Sequence, residues 1–261
     1  MRISHFLLSA LFLLAPLSFA AEHGEPKSDP FYRGADVQLE IDAKLALAKR
    51  ENKKLLLVLG AQWCHDTQGL LRNFDKPELQ KTLQVHYEVV FVDVAYLSKG
   101  FDVTKRFGLP IFYGTPTVMV VDPETETLIN RPSMTQWLSA DSVSYTQYKR
   151  YFAKMSSHAV DVKLEGSKRL ADYLSQIQQY EEVQAKRIKL AYQRLGPVLE
   201  NYQENGVDFS EKEDNEWREL ARFRYGVQKR AAEFRQQARD AVKNQQELEL
   251  SFPSHKKFSW E

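Results

Sequence analysis

The 261-residue chain has one cysteine, Cys64. No disulfide can close within it, so the paired-cysteine scaffolds common in exported proteins are excluded. An excess of one charge is also missing: 36 Lys and Arg stand against 35 Asp and Glu, for a formal net charge of +1. Phosphate binding needs clustered, uncompensated basic residues, so no nucleic-acid partner is expected. Beyond residue 20 no apolar run is long enough to span a bilayer. There is no Gly-rich phosphate loop and no Gly-x-Ser-x-Gly elbow. The six histidines are scattered, with none at ligand spacing to Cys64. The expectation is therefore no metal and no cofactor.

What is present is a globular composition, 43% hydrophobic and 12% aromatic. It is enough for one sizeable core with an appendage, or for two small domains. Residues 1–20 differ from the rest. Arg2 is followed by an apolar stretch to Leu17, and Ser18-Phe19-Ala20 places small residues where a signal peptidase reads. This predicts a signal peptide cut after Ala20 or Ala21, hence a periplasmic or secreted protein with no membrane span after cleavage. Residues 21–34 read as a flexible leader.

From 36 to 50, Leu39, Ala43, Ala46 and Leu47 recur at helical spacing. The run 55–59 is continuously apolar, as in a strand buried on both faces. A turn at 60–63 leads into a helix from about Cys64 to Phe74. Further strands are expected at 89–94, 117–121 and 127–130, and short helices at 102–107 and from an Asp141 cap to about Met155. Strands alternating with helices make a layered α/β domain over residues 35–160. From 161 to 246 the pattern becomes helical. Leu170, Leu174, Ile177, Ile188, Ala191 and Leu195 form one stripe, which Gly196-Pro197 stops or kinks. Ser210-x-x-Glu213 is a capping box opening a second helix with Trp217, Leu220, Val227, Ala231, Phe234, Ala238 and Ala241 at heptad-like steps. An antiparallel helical hairpin follows. Arg218, Arg222, Arg224, Lys229, Arg230, Arg235 and Arg239, interleaved with acids, read as a solvated helix face. Residues 247–261 form a C-terminal tail, packing back as a strand or an extended arm.

A cysteine placed directly after a buried strand, opening a helix, is chemically special. Unpaired N–H groups and the helix dipole favour an anionic sulfur there. A protonated His65 acts in the same direction and Asp66 against it. The Thr67 hydroxyl, one turn on, is placed to donate to the sulfur.

The strand 55–59, Trp63-Cys64-His65-Asp66-Thr67, the strand 89–94, Gly108 and Gly114-Thr115-Pro116-Thr117 together resemble the thioredoxin superfamily. They are similar within it to an exported bacterial monothiol subgroup. The resemblance covers roughly residues 36–155 and implies a thioredoxin-like fold, a central mixed sheet flanked by helices, with the hairpin as an extension. It further implies that Cys64 is the nucleophile, that Pro116 is cis and lies against it, and that Thr115 positions an extended substrate. Trp63, His65, Asp66 and Thr67 would tune the thiol. Two departures matter. Thr67 stands where the superfamily has its second cysteine, and Val58 where many members bury an acid. A self-contained dithiol cycle cannot run without the second thiol.

Two readings remain open. In one, Cys64 exchanges with a protein or low-molecular-weight disulfide and an external thiol resolves the product. In the other, the scaffold is a redox-silent binding or chaperone-like module. Peroxide reduction is a third route, and it requires an acceptor pocket. The hairpin is expected to recruit a partner, supply a dimer surface or cover the site.

Overall fold

The computed structural model describes residues 30–31 and 36–261. The signal peptide expected at 1–20 and most of the leader expected at 21–34 lie outside the described residues. Phe31, within the stretch read as leader, is buried and meets Phe91 edge to face at 5.5 Å.

Four strands build the sheet: β1 (Lys54–Gly60), β2 (Tyr87–Asp93), β3 (Thr117–Asp122) and β4 (Thr127–Leu128). Their order is β2-β1-β3-β4, with β1 parallel to β2 and antiparallel to β3. Leu57 is paired with Val90 on one side and Met119 on the other. The chain therefore has a mixed, thioredoxin-like sheet. Successive side chains of a strand alternate faces, and both faces of β1 are covered. Leu55, Leu57, Leu59, Met119 and Val121 belong to one core; Leu56, Val58, Val118 and Val120 belong to the other.

The second core is closed by α2 (His65–Phe74), α3 (Pro77–His86) and α5 (Tyr145–Ser156). Helix α3 is absent from the sequence reading, although Pro77 at its first turn is a start signal. Trp137 is fully buried there, with ring centroids 4.8–5.5 Å from Tyr148, Tyr151 and Phe152. It comes from a 3₁₀ segment, Arg131–Ser142, broken at Ser139. Asp141 therefore does not cap α5. Ser144 does, in a capping box with Gln147.

The first core lies under α1 (Val37–Glu51), and here the expected apolar face is displaced. Leu39 and Ala43 are exposed, while Ile41, Leu45 and Ala48 are buried. The Asp36 cap sets the helix start, and contact with the sheet selects which of two equally apolar stripes is buried. Short α4 (Phe101–Arg106) adds Val103 to this core.

The same core is completed by the hairpin. After the short α6 (Val162–Glu165), α7 (Lys168–Asn205) and α8 (Glu211–Lys243) pack together, and Ile188, Tyr192, Leu195, Leu220 and Val227 sit among the sheet residues. Helix α7 is not stopped at Gly196-Pro197. A Cβ on Gly196 would lie 2.5 Å from the Tyr96 carbonyl oxygen, so glycine is there for close approach of a loop. Pro197 costs the helix one hydrogen bond, and α7 continues to its cap at Gly206 (φ 66°). The tail packs back without a strand: Phe252 stacks on Tyr180 at 5.0 Å and Phe258 is buried against Trp260 at 4.4 Å.

Candidate functional site

Strand β1 ends at Gly60 and the chain turns so that the Cys64 N–H donates to the Ala61 carbonyl at 3.1 Å. Cys64 is the residue that precedes the first turn of α2, and no side chain caps that turn. Its Sγ is 3.3 Å from the Thr115 carbonyl oxygen, which accepts from the thiol. The Thr115–Pro116 bond is cis. The sulfur and the loop before β3 are thus in contact through Thr115. Cys64 is 9% exposed, recessed but reachable from the cleft beside it.

Trp63 is held by a 2.8 Å hydrogen bond from Nε1 to the Ala95 carbonyl and stacks on Tyr96 at 6.4 Å. The loop that receives it is tight, with Ala95 (φ 46°) and Leu97 (φ 62°) in the left-handed region at about 1 kcal/mol or more each. His65 is largely exposed, with Nδ1 3.5 Å from Asp66 and Nε2 3.4 Å from Asp141. Asp66 accepts the Asp141 backbone N–H at 3.0 Å, and Arg72 pairs with Asp141 at 2.6 Å. A Cβ at Gly69 would overlap Asp141, so α2 and the 3₁₀ segment lie in direct contact here. Asp141, assigned from sequence to a helix cap, is instead part of the site's rim.

Thr67 departs from its expected place. It is fully buried and lies against Gly60, and among the described residues its Oγ1 has no hydrogen-bond partner. It makes no hydrogen bond to the sulfur. Neither Thr67 nor the buried Pro116 lines the cleft, whereas Trp63, Cys64, His65, Asp66 and Thr115 do. Val58 is fully buried in apolar surroundings. Among the described residues no group of three or more His, Cys, Asp or Glu is placed to hold a metal ion.

Residues 36–123 match a family model described as thioredoxin-like. This part of the chain is thioredoxin-like. A solved structure of a disulphide isomerase from Xylella fastidiosa Temecula1 is similar over 49% of this chain and 97% of that chain, at 27% identity and a TM-score of 0.44. No curated protein matches.

The wall facing the thioredoxin-like region is made by the hairpin. Leu199 and Tyr202 of α7, Phe209 of the connecting turn, and Trp217, Arg224 and Tyr225 of α8 enclose a cleft of about 1000 Å³ over Cys64. Of the three roles weighed for the hairpin, covering the site matches this geometry. Sequence reading missed Arg224, placed on a solvated face, and Trp217, placed in a core stripe. Periodicity marks which residues share a helix face but not what that face meets.

A buried charge cluster supports the Thr115 loop from behind. Glu181 of α7 accepts from the Tyr113 hydroxyl at 2.9 Å and pairs with Arg131 and Arg235 at 2.6 Å each. Burial pushes the Glu181 carboxyl up, but the two guanidinium groups outweigh it and hold the group below the usual carboxylate value. Burial, reinforced by Glu181, pushes the Tyr113 phenol well above its ordinary value, so it stays a donor.

Proposed function

We propose that this is an exported, periplasmic or secreted, thioredoxin-like protein that performs monothiol thiol–disulfide exchange through Cys64. The observation that carries the reading is the contact between Cys64 Sγ and the Thr115 carbonyl at the base of an open cleft. A thiol at an uncapped helix start, beside an extended loop, is where a disulfide can be presented in line with a sulfur nucleophile.

The chemistry balances as an interchange. Cys64, its proton released to water, attacks one sulfur of a disulfide R–S–S–R′. The S–S bond breaks, R′–S⁻ leaves and takes up a proton, and Cys64–S–S–R forms. Thr67 carries a hydroxyl and cannot resolve this species. An external thiolate R″–S⁻ attacks the R sulfur, R–S–S–R″ forms, and Cys64 leaves as thiolate. Trp63, His65, Asp66 and Thr115 surround the reacting sulfur.

The experiment is trapping. Purified protein incubated with a disulfide-bonded peptide, quenched in acid and analysed by intact mass should show a Cys64 adduct that an added thiol removes. A Cys64→Ser variant should show none. The rival reading, a redox-silent binding module, draws on the recessed position of Cys64 and the lack of a second thiol. It stands if the wild type forms no adduct yet holds the peptide.

A further inference from the structure

Arg224 is a half-buried cation in the cleft without a carboxylate partner among the described residues. Comparable arginines are neutralised: Arg131 and Arg235 by Glu181, Arg187 by Glu261, Arg239 by Glu165. The Arg224 side chain is nonetheless fixed. Its guanidinium lies 5.6 Å from the Trp217 ring and 5.9 Å from that of Tyr192, with Nη1 3.5 Å from the Tyr192 hydroxyl. Its Cζ and Nε are 3.7 Å from where a Cβ on Gly114 would stand. Gly114 adjoins Thr115, whose carbonyl touches the sulfur. A rigid, aromatic-flanked guanidinium suits a carboxylate, because the planar fork donates two parallel hydrogen bonds and loses little freedom in doing so.

The cleft also has a length and a polarity. Its α8 wall runs from Glu211 to Tyr225, on the order of 20 Å at the helical rise per residue. That distance holds about six residues of extended chain, more than a small disulfide fills. Asp208 and Glu211, at the far end from Arg224, have no ion-pair partner among the described residues. Tyr202, Phe209 and Trp217 lie between, as flat apolar contacts for peptide side chains.

From this we infer that Arg224 selects the substrate of Cys64: an extended peptide bearing an acidic side chain next to its reacting cysteine, with basic residues toward the other end. The inference rests on the exchange reading above and names its substrate class. Arg224 reads the substrate carboxylate and takes no part in bond exchange.

The probes are two short peptides, one with Asp beside the cysteine and one with Asn, each carrying a thiopyridyl mixed disulfide. Release of thiopyridone gives a rate for each. The wild type should favour the Asp peptide by about tenfold, the scale of one charge-assisted hydrogen-bond pair. The Asp/Asn ratio should fall to near one in Arg224→Gln and recover in part in Arg224→Lys. Taking the ratio within each variant cancels any change in thiol reactivity. Equal rates in the wild type, or a preference that survives in Arg224→Gln, would overturn the subsite. Oxidised glutathione reacting as fast as the Asp peptide, with the same dependence on Arg224, would overturn the peptide class. Equilibrium binding of the same sequences with Ser for Cys, followed by tryptophan fluorescence, separates the two readings. Binding that favours Asp through Arg224 beside an unreactive Cys64 keeps the subsite and sinks the exchange reaction. A reactive Cys64 with no Asp preference does the reverse.

Discussion

Tyr113 donates a 2.9 Å hydrogen bond to Glu181, joining the loop that touches Cys64 to the middle of α7. With Arg131 and Arg235 on the other carboxylate oxygen, this is a buried cluster shared by the sheet domain and both hairpin helices. The hairpin is therefore part of the framework holding the site, and its loss would disturb the Thr115 loop as well as uncover the cleft.

Glu181→Gln leaves two buried guanidinium groups uncompensated, and breaking such a cluster costs about 3–5 kcal/mol. Chemical denaturation should register that loss at neutral pH. The pH dependence has a definite sign. Because the folded carboxyl titrates below its ordinary value of 4.5, its stabilising effect is full above that value and fades as pH falls through the folded one. The wild type should lose stability in that acid window, and the variant should show a shallower acid limb. An acid limb identical in both would remove Glu181 as the cause.

Thr67→Cys restores the second thiol one turn from Cys64. Cysteines in that relation can meet disulfide geometry. The reduced variant should titrate two thiols and the oxidised variant none, whereas the wild type keeps its one thiol under the same mild oxidant. Free-thiol counting checks it. An oxidised variant that still titrates two thiols would place the side chains too far apart.

Gly196→Ala puts a methyl against the Tyr96 carbonyl at 2.5 Å, and overpacking of this kind costs about 1–3 kcal/mol. Gly226, also helical, has nothing within 4 Å of a built Cβ, so Gly226→Ala should gain up to about 1 kcal/mol from helix propensity. Opposite signs in urea titrations are expected. The same sign for both would mean that propensity alone governs these positions.

His255 docks the tail through a 2.8 Å contact between Nε2 and the Tyr180 hydroxyl. Burial, then Arg187, holds its pKa below the usual 6.5. The neutral ring's contribution is therefore full above that value and is lost as pH falls through the folded one. Hydrogen exchange over residues 247–261 should rise across that window in the wild type and stay flat in His255→Gln. A flat wild-type profile would contradict the docking role.

The strands were readable because 55–59, 89–94 and 117–121 are apolar runs too continuous for a half-exposed element. Helix α2 and its cysteine followed from the strand–turn order, and Ser210 with Glu213 announced α8. Other elements resisted for physical reasons. The apolar face of α1 was ambiguous, since Leu39, Ala43 and Leu47 repeat as well as Ile41, Leu45 and Ala48 do; contact with the sheet chose between them. Gly196-Pro197 carries a helix-ending signature, yet docking of the Tyr96 loop retains the helix. Long-range packing outweighed a local cost of a few kcal/mol.

For the site, the sequence by itself determined which thiol is present and what it lacks beside it. There is one thiol, it opens a helix after a buried strand, and Thr67 offers no second thiol beside it. Local order along the chain suffices for that, because strand, turn and helix start are consecutive. The tertiary structure alone decided what surrounds the sulfur. Thr115, Asp141 and the α8 pair Trp217 and Arg224 come from three distant segments, and only the docking of α7 and α8 onto the sheet core turns a helix face rich in arginine into the wall of a cleft. Periodicity encodes that such a face exists; which surface it meets is set by packing across the whole fold.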